Sequence, residues 1–396
     1  AGDRARRGPP VDVGLSPALS RSVRTLVAIR VAVWVGTALT LVWAPFNGLV
    51  FGDAYGTWSN LLFRAFAQWD ARWFVQIADR GYAEVPEAAA FFPLYPAAVH
   101  ALAWVTGSTL VAGTLISLAS AAVAAAVLAE LARLLLGERA VRDTVLYVAL
   151  YPVAFVFTAV YSDALFLALA AASFLAAERG RPVLAGVLVG LATGTRLIGL
   201  ALVPALALLL WRGRGRVVRL APLLLAPAAV GLYALYLGRT IGDAEAFARA
   251  QVTWDRHAAT LGPFGGIVDA VQAAGRGLKT LASADAFGQE HTVSLWNVSH
   301  LGLLVAAVAL TIVAWQRIGP AYGLYSAVSL VVILSAPATG FPLVSLPRLL
   351  LADFPVFLAL AALTLDRPRA RETILYSFAA AGAAAAIAFS RGIWIA

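Results

Sequence analysis

An acid flanked by aromatic residues is the part of this chain best suited to chemistry. Asp70 lies in the run Trp69-Asp70-Ala71-Arg72-Trp73-Phe74, just beyond the first long apolar segment. Partial desolvation by the neighbouring rings would suit its carboxylate to act as a general base. The alternative is an aromatic belt at a membrane surface that contains an acid without a catalytic role.

A second acid stands at the edge of another apolar segment. Asp163 follows Tyr161 and Ser162, and its carboxylate is a further candidate for a site at the membrane edge. The alternative is a helix cap, because the side chain of Ser162 or Asp163 could accept a hydrogen bond from the first free N–H groups of a helix beginning at Ala164.

Two arginines, Arg196 and Arg348, each lie at the end of an apolar segment. Arginine is costly within hydrocarbon unless it has a partner, and its guanidinium matches a phosphate group in two-pronged geometry. A lipid phosphate is therefore the expected partner. The alternatives are snorkelling to the membrane surface or pairing with Asp163 or Asp353, although Asp353 follows Arg348 by five residues, which is a poor spacing for a pair on one helix.

Metal and cofactor chemistry find little support. The chain has no cysteine, and its four histidines are widely spaced with no HExxH pattern, so we expect no metal site, although a divalent metal stays open. Neither a Walker loop nor a GxGxxG turn occurs. We therefore expect no nucleotide-binding domain and no cofactor, and an activated donor would have to arrive attached to a lipid.

The composition is that of an integral membrane protein. Hydrophobic residues make up 61% of the 396 residues and charged residues only 13%, with a mean hydropathy of +0.82, whereas soluble domains carry about 25% charge. The net charge of +9 comes from arginines in short loops. This pattern does not fit a nucleic-acid partner, since binding nucleic acid would need a continuous basic face on a soluble domain.

These loops also predict how the chain crosses the membrane. Arg4, Arg6, Arg7, Arg21 and Arg24 would keep the N-terminus in the cytoplasm. With the other basic loops on the same side, one multi-pass all-α domain of about eleven transmembrane helices results. The predicted helices cover roughly residues 23–45, 109–136, 142–160, 164–178, 182–195, 197–211, 218–238, 300–316, 320–336, 347–365 and 373–390.

Two long loops would then lie on the external side. Residues 46–108 form the first, in which residues 92–105 are too short to span comfortably and are expected to lie along the membrane surface. Residues 239–299 form the second, which is the other candidate for substrate contact. The candidate acids and arginines would all face this side.

Several short motifs follow one another in a characteristic order. They are Trp69-Asp70-Ala71, Gly81-Tyr82, Ala90-Phe91-Phe92-Pro93, Tyr161-Ser162-Asp163-Ala164-Leu165-Phe166, Glu178-Arg179-Gly180-Arg181, Ala192-Thr193-Gly194-Thr195-Arg196 and Pro347-Arg348-Leu349. Single motifs are weak, but together the series resembles the PIG-V family of mannosyltransferases. Two motifs differ from that family, which commonly has Tyr-Ser-Glu in place of Tyr161-Ser162-Asp163 and Arg-Ser-Asn in place of Arg196-Leu197-Ile198.

The resemblance implies a helical bundle of the GT-C superfamily of glycosyltransferases, with interfacial helices in the first external loop. Such an enzyme takes a sugar, here expected to be mannose, from polyprenyl phosphate to a lipid or glycan acceptor on the extracytoplasmic side. The composition looks bacterial, so the expected location is a bacterial plasma membrane and a GPI precursor would be the wrong acceptor. The donor is a lipid-linked co-substrate, with no further cofactor.

The resemblance also implies roles for the candidate residues. Asp70 would accept the proton of the acceptor hydroxyl as it attacks the anomeric carbon with inversion, while Arg196 and Arg348 would bind the donor phosphate. Further substrate contacts are expected from Trp69, Arg72, Trp73, Glu84, Tyr95, Tyr161 and Asp163. The aromatic members would stack on sugar faces or hold the loop at the interface, and Asp163 or Glu84 would bind sugar hydroxyls or orient Arg196.

The alternative from another class is a transporter or flippase of a lipid-linked sugar, in which arginines bind phosphate and no bond is broken. A transporter needs polar groups near the midplane and a path to both sides. Because Asp70, Asp163, Arg196 and Arg348 all map to one predicted side, the pattern favours an enzyme.

Overall fold

The computed structural model describes residues 17–43, 63, 65–211, 216–283 and 289–395. These residues are mainly helical and contain no strand, apart from one isolated antiparallel bridge between Arg256 and Ala338. Three parts of the sequence-based topology lie outside the described residues: Arg4 to Arg7, most of residues 46–64 in the first predicted external loop, and residues 284–288 in the second.

The α-helices, in chain order, are α1 (Pro17–Trp43), α2 (Asp70–Arg80), α3 (Leu94–Thr106), α4 (Thr109–Leu136), α5 (Glu138–Leu150), α6 (Asp163–Glu178), α7 (Pro182–Thr195), α8 (Leu202–Leu210), α9 (Arg216–Leu220), α10 (Leu225–Thr240), α11 (Ala246–Arg249), α12 (Pro263–Leu281), α13 (Gln289–Val313), α14 (Pro320–Ser335), α15 (Leu346–Ala352), α16 (Phe354–Thr364) and α17 (Pro368–Ser390). Short 3-10 turns occupy Pro86–Ala90, Ala154–Phe157, Leu197–Ala201, Ala221–Leu224 and Ala250–Trp254, and a π-helical turn at Ala314–Ile318 extends α13.

Length and composition identify the helices that could cross a membrane. Within the described ranges, five segments qualify, and the bent pair α15 and α16 would make a sixth if it counts as one span. The five are Ser20–Thr40, Thr109–Leu136, Val217–Thr240, His291–Ile318 and Pro368–Ser390. Three further apolar helices, Pro182–Thr195, Leu197–Leu210 and Pro320–Ser335, are shorter. The all-α polytopic class is confirmed, whereas the figure of about eleven spans stays a prediction.

Helix ends agree with the sequence where local signals mark them. The span predicted at 109–136 is α4, which begins after Ser108, whose hydroxyl accepts a hydrogen bond from the Val111 N–H at 3.4 Å. It ends at Gly137, whose φ of 87° suits a residue without a Cβ. Residues 92–105, expected to lie along the membrane surface, are largely helical as α3. Their position at the surface stays a prediction.

Two predicted spans are not continuous helices. The segment expected at 142–160 stops at Leu150, because Pro152 cannot supply an N–H to a helical ladder, and it continues as the 3-10 turn Ala154–Phe157. The segment expected at 347–365 breaks at Asp353, where α15 and α16 meet at 79°. Pro355 in the first turn of α16 favours a helix start at this point.

Helix α6 lies at the centre of the bundle. It packs against α4 and α7, and most of its residues are buried. Close approach elsewhere depends on small residues, as is usual for helices that pack in lipid. A Cβ on Gly186 of α7 would lie 2.3 Å from the Cβ of Pro222, and one on Gly190 would lie 3.0 Å from that of Leu225. These glycines let α7 contact the segment around the start of α10. Two of the charged residues described next lie at the start of α6 and just after the end of α7.

Candidate active site

Asp70 is the first residue of α2, at a strained turn. Trp69 before it has a φ of 56°, a left-handed conformation that is costly for a residue with a Cβ. The backbone N–H of Asp70 donates to the Tyr161 hydroxyl at 3.2 Å, and that hydroxyl donates to the carbonyl of Gln68 at 3.1 Å. Buried Tyr161 therefore fixes the start of α2 against the segment that precedes α6.

Four of the predicted residues form one chain of ion pairs. Arg348 Nη1 lies 2.6 Å from Asp70 Oδ2, and its Nε lies 3.6 Å from Asp163 Oδ1. Arg196 Nη1 donates to the same Asp163 oxygen at 2.5 Å. Asp70, Arg348, Asp163 and Arg196 thus follow one another in space, although they span 279 positions of sequence; we call them the charged cluster.

The cluster is built from helix ends. Asp70 and Asp163 are the first residues of α2 and α6, where the helix dipole stabilises negative charge. Arg196 occupies an extended break between α7 and the 3-10 turn Leu197–Ala201, with φ −155° and ψ 135°. Arg348 lies in the first turn of the short helix α15. In the hydrocarbon region, backbone polar groups must be hydrogen-bonded within the protein. Charged side chains at helix ends can meet without disrupting these backbone hydrogen bonds.

Burial makes each member dependent on the others. The side chain of Asp163 is 2% exposed, and those of Asp70, Arg196 and Arg348 are 17%, 15% and 13% exposed. Buried charges are tolerated only when paired and hydrogen-bonded. The guanidinium of Arg348 also lies over the Tyr161 ring, 5.3 Å from its centroid, and its Nε has no hydrogen-bond partner among the described residues. One N–H donor of the cluster is therefore buried without an acceptor.

The two alternatives for Asp163 and the arginines can be compared with these contacts. Ser162 occupies the cap position of α6, but no side chain caps this helix. Arg196 does pair with Asp163, as one alternative had it, and Arg348 pairs with both acids. Asp353 Oδ1 instead accepts a hydrogen bond from the Ser326 hydroxyl at 2.6 Å, whereas its Oδ2 has no partner among the described residues. Its contact therefore comes from a neighbouring helix and not from Arg348.

Other predicted contact residues lie around α2. Trp69 is 38% exposed, Arg72 is exposed with its guanidinium 5.9 Å from the Trp73 ring, and Trp73 is half-buried and stacks on Phe91 at 6.2 Å. Glu84 is exposed and, within the part of the chain that the structure describes, takes part in no ion pair. Substrate contact by these residues stays a prediction.

Tyr95 has a different place from the one expected. Its ring is fully buried, and its hydroxyl donates to the carbonyl of Gly113 at 3.0 Å and lies 2.8 Å from the Ser117 hydroxyl. Ser117 in turn donates to the carbonyl of Tyr161 at 3.1 Å. A fully buried ring offers no face for a sugar to stack on, so Tyr95 supports the position of Tyr161 from behind.

One residue close to the cluster was missed from the sequence. Arg256 donates from Nη1 to the carbonyl of Ala336 at 2.9 Å and from Nη2 to that of Val344 at 3.2 Å. Burial lowers the pKa of Arg256, Arg348 lowers it further, and Asp70 raises it. The available signal was the run Trp254-Asp255-Arg256 in the second predicted external loop, which repeats the Trp-Asp pair of residues 69 and 70.

Backbone strain also concentrates at the site. In the described ranges, the non-glycine residues with a φ in the left-handed region are Trp69, Asp255 and Ser345. Trp69 directly precedes Asp70, Asp255 directly precedes Arg256, and Ser345 directly precedes the helix that carries Arg348. Strained conformations persist where the surrounding structure holds them and are frequent at functional sites.

An apolar cavity of about 1020 Å³ opens between α2, α3, α7 and α10. Its lining includes Leu94, Ala97, Gly194, Leu225, Leu232 and Tyr236. Its lining residue Gly194 precedes Arg196 by two positions in the sequence, whereas the four residues of the charged cluster do not themselves line the cavity. In the described residues no group of three or more His, Cys, Asp or Glu side chains is arranged to hold a metal ion.

Residues 20–212 match the sequence model of the mannosyltransferase (PIG-V) family. The resemblance inferred from the short motifs is therefore confirmed over this part of the chain. The PIG-V match includes Asp70, Asp163 and Arg196, whereas Arg348 and Arg256 come from the part of the chain beyond it. The segment outside the PIG-V match thus contributes two of the guanidiniums at the site.

Comparison with solved structures found an oligosaccharyltransferase of Archaeoglobus fulgidus. The form tethered to an acceptor peptide with the NVT sequon is 12% identical, with a TM-score of 0.48 over 95% of this chain and 55% of that one. The archaeal form in complex with an inhibitory peptide and a dolichol-phosphate is 13% identical, with a TM-score of 0.45 over 94% and 55%. The chain therefore spans about half the length of these neighbours. No curated protein matched the sequence.

Proposed function

We propose that the protein is a membrane glycosyltransferase that transfers a sugar, mannose in the first instance, from polyprenyl-phosphate-mannose to a lipid or glycan acceptor on the extracytoplasmic side. The observation that carries this proposal is the charged cluster, in which two carboxylates and two guanidiniums pair in a largely buried setting. The match to a mannosyltransferase family over residues 20–212 supports the sugar and the class of reaction.

The reaction needs a base on one side of the anomeric carbon and stabilisation of a leaving phosphate on the other. Asp70 would accept the proton of the acceptor hydroxyl as its oxygen forms a bond to the anomeric carbon. The bond from that carbon to the phosphate oxygen breaks, and the electron pair leaves with polyprenyl phosphate, so the configuration inverts. No metal is needed if guanidiniums stabilise the charge that develops on the phosphate.

The ion pairs suit this cycle before and after donor binding. Without donor, Asp70 and Asp163 hold Arg348 and Arg196 in place, so the arginines pay little reorganisation when a phosphate arrives. Arg348 can turn one N–H toward the phosphate because its Nε is not hydrogen-bonded. That shift would release Asp70 from part of its ion pair and free its carboxylate for the incoming hydroxyl.

The apolar cavity supports a lipid-linked donor. It is lined mainly by apolar side chains and glycines of α3, α7 and α10, and it reaches Gly194, two residues before Arg196 in the sequence. An isoprenoid chain laid in this cavity would bring its phosphate to the charged cluster while its tail stays in an apolar setting. The acceptor would approach Asp70 from the side of exposed Trp69.

A transfer assay tests the proposal. Purified protein in detergent or nanodiscs receives synthetic polyprenyl-phosphate-mannose and a panel of lipid and glycoside acceptors, and Asp70→Asn is compared with wild type. Because the amide cannot accept the proton, we expect transfer and donor hydrolysis to fall by about 100-fold or more. Donor binding with no consumption by wild type would instead favour the flippase alternative, which a liposome flipping assay measures directly.

A further inference from the structure

A segment of the second predicted external loop is docked on the loop that leads to Arg348. The N–H of His257 donates to the carbonyl of Pro337 at 3.1 Å, that of Ala259 to Ser335 at 3.1 Å, and that of Thr339 to Asp255 at 3.2 Å. These bonds flank the bridge between Arg256 and Ala338. The backbone around Arg256 is therefore held in a defined place beside the charged cluster.

The guanidinium of Arg256 lies near the start of α15. Its bond to the carbonyl of Val344 reaches the residue just before Ser345, four positions ahead of Arg348. Burial lowers the pKa of Arg256, and the smaller effects of Arg348 and Asp70 agree with a place beside both side chains. The bond to Val344 therefore puts Arg256 at the edge of the charged cluster.

Arg256 differs from the other two arginines in its partners. Arg196 and Arg348 each pair with a carboxylate, whereas no carboxylate of the described residues lies within ion-pair distance of Arg256, which donates to two carbonyl oxygens. Three guanidiniums against two carboxylates leave one positive charge at the site. A largely desolvated cation held only by carbonyls is stabilised by a nearby anion.

We propose that Arg256 binds the phosphate of the donor. Its guanidinium supplies the one positive charge of the site that the negative charge of this phosphate balances. The inference rests on the proposed function and assigns a further substrate-binding residue to it. A donor in which phosphate links lipid and sugar carries one negative charge, which neutralises the site. After transfer, Asp70 holds the proton of the acceptor, and the second negative charge of polyprenyl phosphate balances the loss of the Asp70 charge.

The chemistry of arginine fits this assignment. A guanidinium has five N–H donors, and the two bonds to Ala336 and Val344 leave others of Arg256 for a phosphate oxygen. The carbonyl bonds fix its plane, so little side-chain freedom is lost when the phosphate binds. Both Arg256 and Arg348 would then reach the donor from the part of the chain beyond the family match.

The test compares a lipid that has a phosphate with one that lacks it. Binding of polyprenyl phosphate and of polyprenol of the same length is measured by a thermal-shift titration in nanodiscs, for wild type, Arg256→Gln and Arg256→Lys. We expect Arg256→Gln to lower the preference for polyprenyl phosphate by about 10- to 100-fold, the usual loss for one charge-assisted hydrogen bond. Polyprenol affinity should stay the same, and Arg256→Lys should restore part of the preference.

Arg249→Gln is the matched control, because Arg249 lies in the same loop but is exposed and pairs with Asp243 and Glu245. It should bind both lipids as wild type does. Three outcomes overturn the inference. The wild type shows no preference for the phosphate, Arg256→Gln keeps an unchanged preference, or Arg256→Gln loses equal affinity for both lipids. The last outcome would mean that Arg256 only holds the loop in place.

A transfer assay run in parallel separates this inference from the proposed function. If wild type shows an Arg256-dependent phosphate preference but transfers no mannose, the proposed function fails and the phosphate site stands. If wild type transfers mannose and Arg256→Gln keeps both the phosphate preference and the KM for donor, the function stands and the inference fails.

Discussion

The two ends of α6 carry the same arrangement of charges in different surroundings. At one end, Asp163 lies between Arg196 and Arg348. At the other end, Arg179 follows the last residue of the helix, and Glu130 of α4 lies between it and Arg133, at 2.7 Å and 2.6 Å. Each arrangement is a carboxylate shared by two guanidiniums.

Burial separates the two arrangements. Asp163 is 2% exposed and its arginines 15% and 13%, whereas Glu130 is 19% exposed and its arginines 43% and 47%. An exposed ion pair contributes about 0–1 kcal/mol to stability because water solvates its members almost as well. A buried ion pair loses the solvation of both charges, so it adds little to the stability of the fold. Its presence is then better explained by a role in function. We infer that the buried cluster serves chemistry and the exposed one serves topology.

Removing the central carboxylate of the buried cluster gives the largest expected effect. Asp163→Asn leaves Arg196 without a carboxylate partner and Arg348 with only Asp70. Breaking a buried pair by removing one partner costs about 3–5 kcal/mol, since an uncompensated charge remains. We expect this loss in the free energy of unfolding in mixed micelles, together with transfer reduced at least about 100-fold.

The double variant Asp163→Asn with Arg196→Gln serves as the control for this prediction. Since it removes one charge of each sign, it should unfold at a higher denaturant concentration than Asp163→Asn alone while staying inactive. If the single variant Asp163→Asn keeps wild-type stability, Asp163 lies in a solvated environment. The difference in burial between the two ends of α6 would then be refuted.

Much of the fold could be predicted from the sequence because hydrocarbon imposes simple rules. Apolar length, proline and glycine set the bounds of α4 and α7 to the residue. The break at Asp353 and the early end of α5 at Leu150 were missed. In both places an apolar run continues through a proline, and hydropathy alone does not register the lost N–H.

The site could be predicted in its parts but not in its connections. Asp70, Asp163, Arg196 and Arg348 stand out because charged residues are rare in such a chain. That they form a single chain of ion pairs depends on packing between α2, α6, α7 and α15, which no spacing rule contains. The prediction for Tyr95 failed for the same reason. From sequence, an aromatic residue near a membrane interface can be taken for a ring that stacks on a sugar, and only the structure shows that the Tyr95 hydroxyl donates to the carbonyl of Gly113.

Arg348→Lys tests whether the geometry of the buried cluster matters beyond its charge. Arg348 reaches Asp70 through Nη1 and Asp163 through Nε, and a single ammonium cannot span both carboxylates. We expect kcat to fall by about 100-fold, the usual cost of one misplaced donor in a preorganised site, with a smaller loss of stability than for Asp163→Asn. Steady-state kinetics in nanodiscs measure it.

The matched variant for that test is Arg133→Lys at the exposed arrangement, where we expect no change in kcat. If Arg348→Lys keeps the wild-type kcat, only the positive charge is required at this position. The proposal that the planar guanidinium of Arg348 binds the donor phosphate through its N–H groups would then be wrong.

Glu130→Gln should have the smallest effect and completes the comparison. It makes the same carboxylate-to-amide change as Asp163→Asn, at a site where Arg133 and Arg179 are about half exposed and remain solvated. We therefore expect a change of no more than about 1 kcal/mol in the free energy of unfolding and an unchanged transfer rate. Equal losses from Glu130→Gln and Asp163→Asn would show that burial does not distinguish the two ends, and the assignment of chemistry to the Asp163 end would then lose its physical basis.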